Sequence, residues 1–186
     1  MADQDEPQAT EGGPASSEHT RGPGVLTHVN ERGAARLVDI TGKQATERRA
    51  VAKCQVALAP DALQLLAEER EGAAIFAEAR AVGIVAAKRT SWLIPLCHPI
   101  LVGDVFLDFS LADDHVEVEA VAEAFERTGV EMEALTACGV AALSIVGALR
   151  KFEPRATIGS LTLWEKTGGR SGHWRRAPDG TPPPGK

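Results

Sequence analysis

Residues 104–123 read DVFLDFSLADDHVEVEAVAE, and this stretch decides the fold. Val105, Leu107, Phe109 and Leu111 fall on one face, with Asp104, Asp108 and Ser110 on the other. That period of two is the mark of a half-buried strand. After the Ala112-Asp113-Asp114 turn, Val116, Val118, Ala120 and Ala122 alternate with Glu117, Glu119, Val121 and Glu123, which predicts the return strand of an antiparallel hairpin. Downstream, residues 131–151 read as a long helix, acidic at its start and basic at its end, as the helix dipole favours. Its centre is apolar nearly all round, which implies burial on several sides, a subunit contact among them. Upstream, Ala59-Pro60-Asp61 opens a helix through residue 69, since proline is tolerated where a first-turn N–H needs no partner. Gly72 separates it from a second helix over 73–89, with Ile75, Val82, Val85 and Ala86 on one stripe. Residues 36–41 (RLVDIT), 48–58 and 158–166 complete the predicted strands, the first two joined by the polar GKQATE turn. The result is an α+β layer structure with helices packed on an antiparallel sheet.

The 186 residues, 44% hydrophobic and 25% charged, suit one domain, placed at 25–176. The first 24 residues hold almost no large apolar side chain and set five acids against Arg21, so a disordered acidic tail is expected there, and a Pro/Gly-rich tail over 177–186. The acidic tail carries about four of the six net negative charges, which leaves the folded part nearly balanced and gives nucleic-acid binding no support. No basic start followed by an apolar run opens the chain, so a secretory signal is not expected and a cytoplasmic location is. The apolar run 137–149 is shorter than a bilayer span and reads as a buried helix, so no membrane partner is expected. Cys54, Cys97 and Cys138 are widely separated, suggest neither a disulfide framework nor a zinc site, and read as reduced thiols.

Three segments can carry chemistry. IPLCHPI, residues 94–100, holds Cys97 and His98 between two prolines that restrict the backbone and present a side chain firmly. His98 can donate to a phosphate or move a proton near neutrality, or it can simply be a loop histidine bonded to backbone. Cys97 reads as packed rather than nucleophilic, because no activating arrangement surrounds it. Thr128-Gly129-Val130-Glu131-Met132-Glu133 leads straight into the apolar helix. Its glutamates are either solvated first-turn acids or, given the apolar helix behind them, carboxylates facing a low-dielectric cleft. Basic positions recur at element ends: Arg48 and Arg49, Lys88 and Arg89, Arg150 and Lys151, Lys166 and Arg170. Singly these are surface charges, whereas several converging would make a phosphate site. The glycine-rich TGGRSG could add backbone donors, but it lacks the spacing of a phosphate-binding loop.

Taken together, LTHVNERGAARLVDITGK, AAKRTSWLIPLCHP, TGVEMEALTA and EKTGGRSG resemble the MoaC family in order and spacing across about residues 26–174. The resemblance implies a ferredoxin-like α+β sandwich assembled as a hexamer, a trimer of dimers with active sites at the dimer interface. It implies conversion of a cyclised dihydro-GTP to cyclic pyranopterin monophosphate and pyrophosphate in molybdenum cofactor biosynthesis, with no metal or organic cofactor. By similarity Arg48 from a neighbouring subunit, Lys166 and Arg170 would bind phosphates, with His98 near them. Leu96, Cys97, His98, Met132 and Glu133 match the family's substrate contacts, and Glu131 lies beside them.

The chain also departs from the family. Where the family has the lysine of a KGD motif, this sequence has Gly72. At the end of the apolar helix the family's aspartate is Gly147 and its lysine is Arg150. Arginine keeps the charge but cannot serve as a lysine-type base. Lys43 and Lys88 are lysines that could compensate. Three readings follow: a working synthase with rerouted proton transfer, whose catalytic positions are His98, Glu131, Gly147 and Arg150; a paralogue repurposed for another phosphorylated, cyclised nucleotide in a specialised biosynthetic pathway; or a catalytically silent ligand-binding or regulatory subunit.

Overall fold

The computed structural model describes residues 28, 29 and 32–177. The tails expected at 1–24 and 177–186 therefore lie outside the described residues, except for Ala177. The elements are β1 (Thr46–Ala57), α1 (Pro60–Ala67), α2 (Glu69–Lys88), the short α3 (Thr90–Leu93), β2 (Asp104–Leu111), β3 (His115–Glu126), α4 (Glu131–Leu149), β4 (Thr157–Thr167) and the two-residue β5 (Trp174–Arg175). The strands form one antiparallel sheet in the order β2-β3-β1-β4-β5. With α1 to α3 taken as one crossover, the path runs β-α-β-β-α-β before the last short strand, a split βαβ arrangement.

The hairpin falls where the alternation places it, with Asp104 opposite Glu123 and Leu111 opposite Val116. Ala50, Ala52, Cys54 and Val56 of β1 join Val116, Val118, Ala120 and Ala122 of β3 on the covered face, all at most 1% exposed. Against them α4 lays Ala134, Ala137, Cys138, Ala141, Ala142 and Ile145, and these mostly small side chains let the helix axis approach the sheet closely. Gly83 of α2 continues that close packing, since a Cβ there would lie 2.8 Å from Leu107 Cδ2 and 3.0 Å from the Ala137 carbonyl oxygen. By length and composition alone α4 could cross a membrane. Its buried stripe is instead the centre of the core.

The other face of the sheet is polar. Lys53 lies between Glu117 at 2.8 Å and Glu119 at 2.9 Å and over the Trp164 ring, while Arg49 meets Glu123 at 3.0 Å. The three cysteines are free thiols, and buried Cys138 donates to the Val118 carbonyl at 3.4 Å.

Three expectations change. The break between the first two helices falls at Glu68, so Gly72 lies inside α2 and does not separate the helices. Residues 36–41 form no strand: Ala35 makes one isolated bridge to Val29, and the chain then runs extended without a ladder. The alternation is real, with Val38 and Ile40 half-buried and Leu37, Asp39 and Thr41 exposed, but what they face is a cavity. The long helix stops at Leu149, whose carbonyl accepts from both Phe152 and Glu153, so Arg150 and Lys151 belong to the turn that ends it.

Candidate functional site

Four segments converge on one cavity of about 560 Å³: the extended run before β1 together with β1's first residues, the IPLCHP turn, the entry to α4, and the end of β4 with its glycine-rich loop. Each is shaped locally for the purpose. In the IPLCHP turn Cys97 N–H donates to Ile94 O at 2.9 Å, which tightens the bend and sets Leu96, Cys97 and His98 side by side on the cavity wall. At the entry to α4, the Glu131 side chain folds back over Gly129, where a Cβ would overlap its carboxylate. Gly129, two residues before the helix, thus leaves room for the Glu131 carboxylate in this position beside the cavity.

The TGGRSG loop works the same way on Arg48. Gly168 and Gly169 have φ of 99° and 69°, a region that glycine enters at little cost. A Cβ at Gly168 would overlap the Glu47 carbonyl oxygen, and one at Gly169 would overlap the Arg48 guanidinium. The glycines thus make room for Arg48, whose Nε also donates to Glu126 O at 3.2 Å.

Electrostatically the site opposes cations to two carboxyls. Lys166 Nζ lies 3.0 Å from Glu131 Oε1 in a half-buried pair. Glu133 is only 4% exposed. Burial, reinforced by the negative charge of Glu131, pushes its carboxyl up to about 7, against its own backbone N–H, which favours the ionised form. Such a group exchanges a proton near neutral pH. Burial, then Glu133, also raises the Cys97 thiol, which keeps it protonated and agrees with a packed, non-nucleophilic role.

Arg48, Leu96, Cys97, His98, Met132, Glu133, Lys166 and Arg170 all line this cavity, as does Glu131. Arg48 here is this chain's own. Gly147 and Arg150 do not join them. Together with Glu78, Ser144, Ala148 and Lys151 they line a second cleft, of about 500 Å³, where Arg150 Nη1 donates to the Gly147 carbonyl at 2.9 Å. Glu131 and Gly147 are both on α4, 16 residues or about 24 Å apart along its axis. One small molecule cannot touch both within a protomer.

Of the two lysines that could compensate, Lys43 lines the first cavity, and Lys88 is exposed at the end of α2 and lines neither cleft. Gly72 is more than a missing amine, because a Cβ there would overlap the Leu66 backbone carbonyl oxygen where α1 folds back onto α2. Lining residues that sequence reasoning did not place in the site include His28, Val38, Ile40, Arg127 and Ser171. Arg127 was legible as a cation directly before the helix-entry motif, but neither periodicity nor spacing separates it from a surface charge.

A family model described as the MoaC family matches residues 37–169. The cyclic pyranopterin monophosphate synthase of Streptomyces coelicolor is 50% identical over 154 residues, 82% of this chain and 90% of that protein. The protein of the same name from Thermomicrobium roseum is 50% identical over 157 residues, covering 83% and 95%. That of Parvibaculum lavamentivorans is 45% identical over 154 residues, covering 81% and 96%. With most of its length matched by the family model and half of its aligned residues shared with such relatives, the chain belongs to the MoaC family.

Proposed function

We propose that this chain is a cyclic pyranopterin monophosphate synthase, a lyase that converts a cyclised dihydro-GTP to cyclic pyranopterin monophosphate and pyrophosphate in molybdenum cofactor biosynthesis. The observation that carries the proposal is the shared lining of one cavity by Arg48, His98, Glu133, Lys166 and Arg170. The reaction must hold a triphosphate, offset charge as a phosphate oxygen is displaced, and move protons while a purine-derived ring opens and recloses. Arg48, Lys166 and Arg170 supply the cations for the first two tasks, and guanidinium groups suit phosphate because they donate bidentately. Glu133, titrating near neutrality, carries the third, with His98 as the adjacent donor and Glu131 released from Lys166 once a phosphate takes that ammonium. Leu96 and Met132 give the ring an apolar wall.

The assembly in this reading is a hexamer of ferredoxin-like protomers, three dimers, in the cytoplasm. Exposed Trp92, Leu93 and Leu143 support a protein contact on the helical side. The length of α4 means that Gly147 and Arg150 approach substrate only in a neighbour's cavity. There Arg150 offsets negative charge and does not act as a base.

The test is to supply purified protein with the cyclised dihydro-GTP and follow release of pyrophosphate and pyranopterin. Turnover is expected. Tight binding with no product would favour the silent ligand-binding subunit, and turnover only of a different cyclised nucleotide would favour the repurposed paralogue. His98→Ala and Lys166→Ala should each weaken nucleotide binding, and unchanged affinity would remove them from the site.

A further inference from the structure

The six-residue loop between β4 and β5, residues 168–173, carries Arg170 and Ser171 to the first cavity, yet Arg170, Ser171, Gly172 and His173 are all exposed. Burial therefore does not fix it. On the outgoing side Gly168 and Gly169 lie against Glu47 and Arg48, and across the loop Gly172 N donates to Gly169 O at 3.2 Å. The returning side is held by less. β5 has only two residues, Trp174 opposite Lys166 and Arg175 opposite Glu165, and Arg176 follows with its N–H on Trp164 O at 2.8 Å and its Nε on Leu163 O at 3.1 Å. So short a strand at a sheet edge opens readily unless side chains hold it.

Those side chains converge on Glu165. Because successive side chains of a strand point to opposite faces, Lys166 meets Glu131 and the cavity, while Glu165 lies on the polar face behind it. There its Oε1 takes His173 Nε2 at 2.9 Å, with Arg49 Nη1 at 4.0 Å, and its Oε2 faces Arg175 Nε at 3.8 Å. A carboxylate only accepts, so Nε2 is the nitrogen that carries the hydrogen. The Glu165 side chain is 21% exposed, and the shortest of its three ion-pair contacts is the one to the last residue of the loop. One carboxylate thus joins the strand that bears Lys166 to the return of the loop that bears Arg170. Neither Glu165 nor His173 lines the cavity.

We infer that Glu165 and His173 are positioning residues of this site: their bond latches the return of the loop and so sets Arg170 over the cavity. The inference rests on the proposal that this cavity takes a phosphorylated nucleotide. Charge alone predicts the opposite sign. A carboxylate behind Lys166 repels phosphate through space, so removing it would tighten binding if it did nothing else, whereas removing a latch weakens binding.

The experiment measures pyrophosphate affinity, KM and kcat on the cyclised dihydro-GTP, and amide exchange, for the full chain and its variants. Glu165→Ala and His173→Ala should each weaken pyrophosphate binding about threefold, the scale of a partly exposed ion pair, raise KM with kcat little changed, and speed exchange over residues 168–175. His173→Gln, which places an amide N–H near the position of Nε2, should restore most of the affinity. With Arg170→Ala already in place, His173→Ala should weaken binding no further. Tighter pyrophosphate binding in Glu165→Ala, full additivity of His173→Ala with Arg170→Ala, or unchanged exchange in the loop would each overturn the positioning role. Unchanged affinity in Glu165→Ala and His173→Ala, with Lys166→Ala and Arg170→Ala still impaired, would overturn it too and leave the cavity's reading standing. If those two are unimpaired as well, it is the reading of the cavity that fails, and the latch with it.

Discussion

The two ends of α4 each carry a buried carboxyl, and they are handled in opposite ways. Near the C-terminal end, Glu153 is 5% exposed and accepts from Ala59 N at 3.3 Å and Arg155 N at 3.0 Å. Those backbone donors, Arg155 N–H foremost, hold it below the usual carboxylate range, and it ties the start of α1 to the loop before β4. At the N-terminal end, Glu133 is as buried but has its own backbone N–H where Glu153 has two partners, and Glu131 repels its charge, so it rises to about 7. A buried acid with partners becomes a structural fixture, and one left short of them becomes a reactive group. The clefts differ in the same sense. The N-terminal one gathers the matched family motifs, whereas at the C-terminal one Arg150 bonds the Gly147 carbonyl beside the place where the family's aspartate would be.

The largest effect expected from this contrast is on turnover. Glu133→Gln keeps the shape and removes the proton, and should lower kcat about 100- to 10,000-fold, the usual worth of a positioned acid or base. A near-normal rate in that variant would break the contrast. Next is stability against pH. The unfolded carboxyl ionises near 4.5 and the folded one near 7, so the contribution of Glu133 to stability is full below pH 4.5 and is lost as pH rises to 7. The loss is roughly 3 kcal/mol, and Glu133→Gln should flatten it in denaturant titrations across that range. At the other end Glu153→Gln places an amide donor against backbone donors, and should lower the melting temperature by a few degrees while leaving kcat unchanged. The smallest effect belongs to Gly147→Asp with Arg150→Lys. Open space surrounds Gly147, so the double variant should fold and shift kcat within about threefold, far short of a positioned base. A hundredfold rise would move the chemistry to the C-terminal cleft.

The hairpin, the helices on one face of the sheet and the lining of the first cavity were legible because each rests on local pattern or on a long motif. The segment 36–41 was misread because alternation reports two unlike faces and does not say what lies on the buried one: Val38 and Ile40 face a cavity, not a neighbouring strand. Gly147 and Arg150 were grouped with His98 and Glu131 on resemblance alone. Within one protomer the length of α4 sets Gly147 more than four turns from Glu131, so that grouping calls for a neighbouring subunit. Arg127 was legible only as a charge. Its contact depends on the fold bringing Thr41 to it across 86 positions, and no local pattern encodes such a meeting.

The seam between α1 and α2 also constrains lineage. With the Leu66 carbonyl occupying the place where a side chain at Gly72 would begin, the lysine that relatives are expected to carry cannot be regained by one exchange at that position. The joint would have to be recut first, at the expense of the Gly72 N–H bond to the Glu68 carbonyl that closes it. The substitution therefore acts as a ratchet, and a descendant of this chain that needs another amine would recruit it from a different part of the molecule.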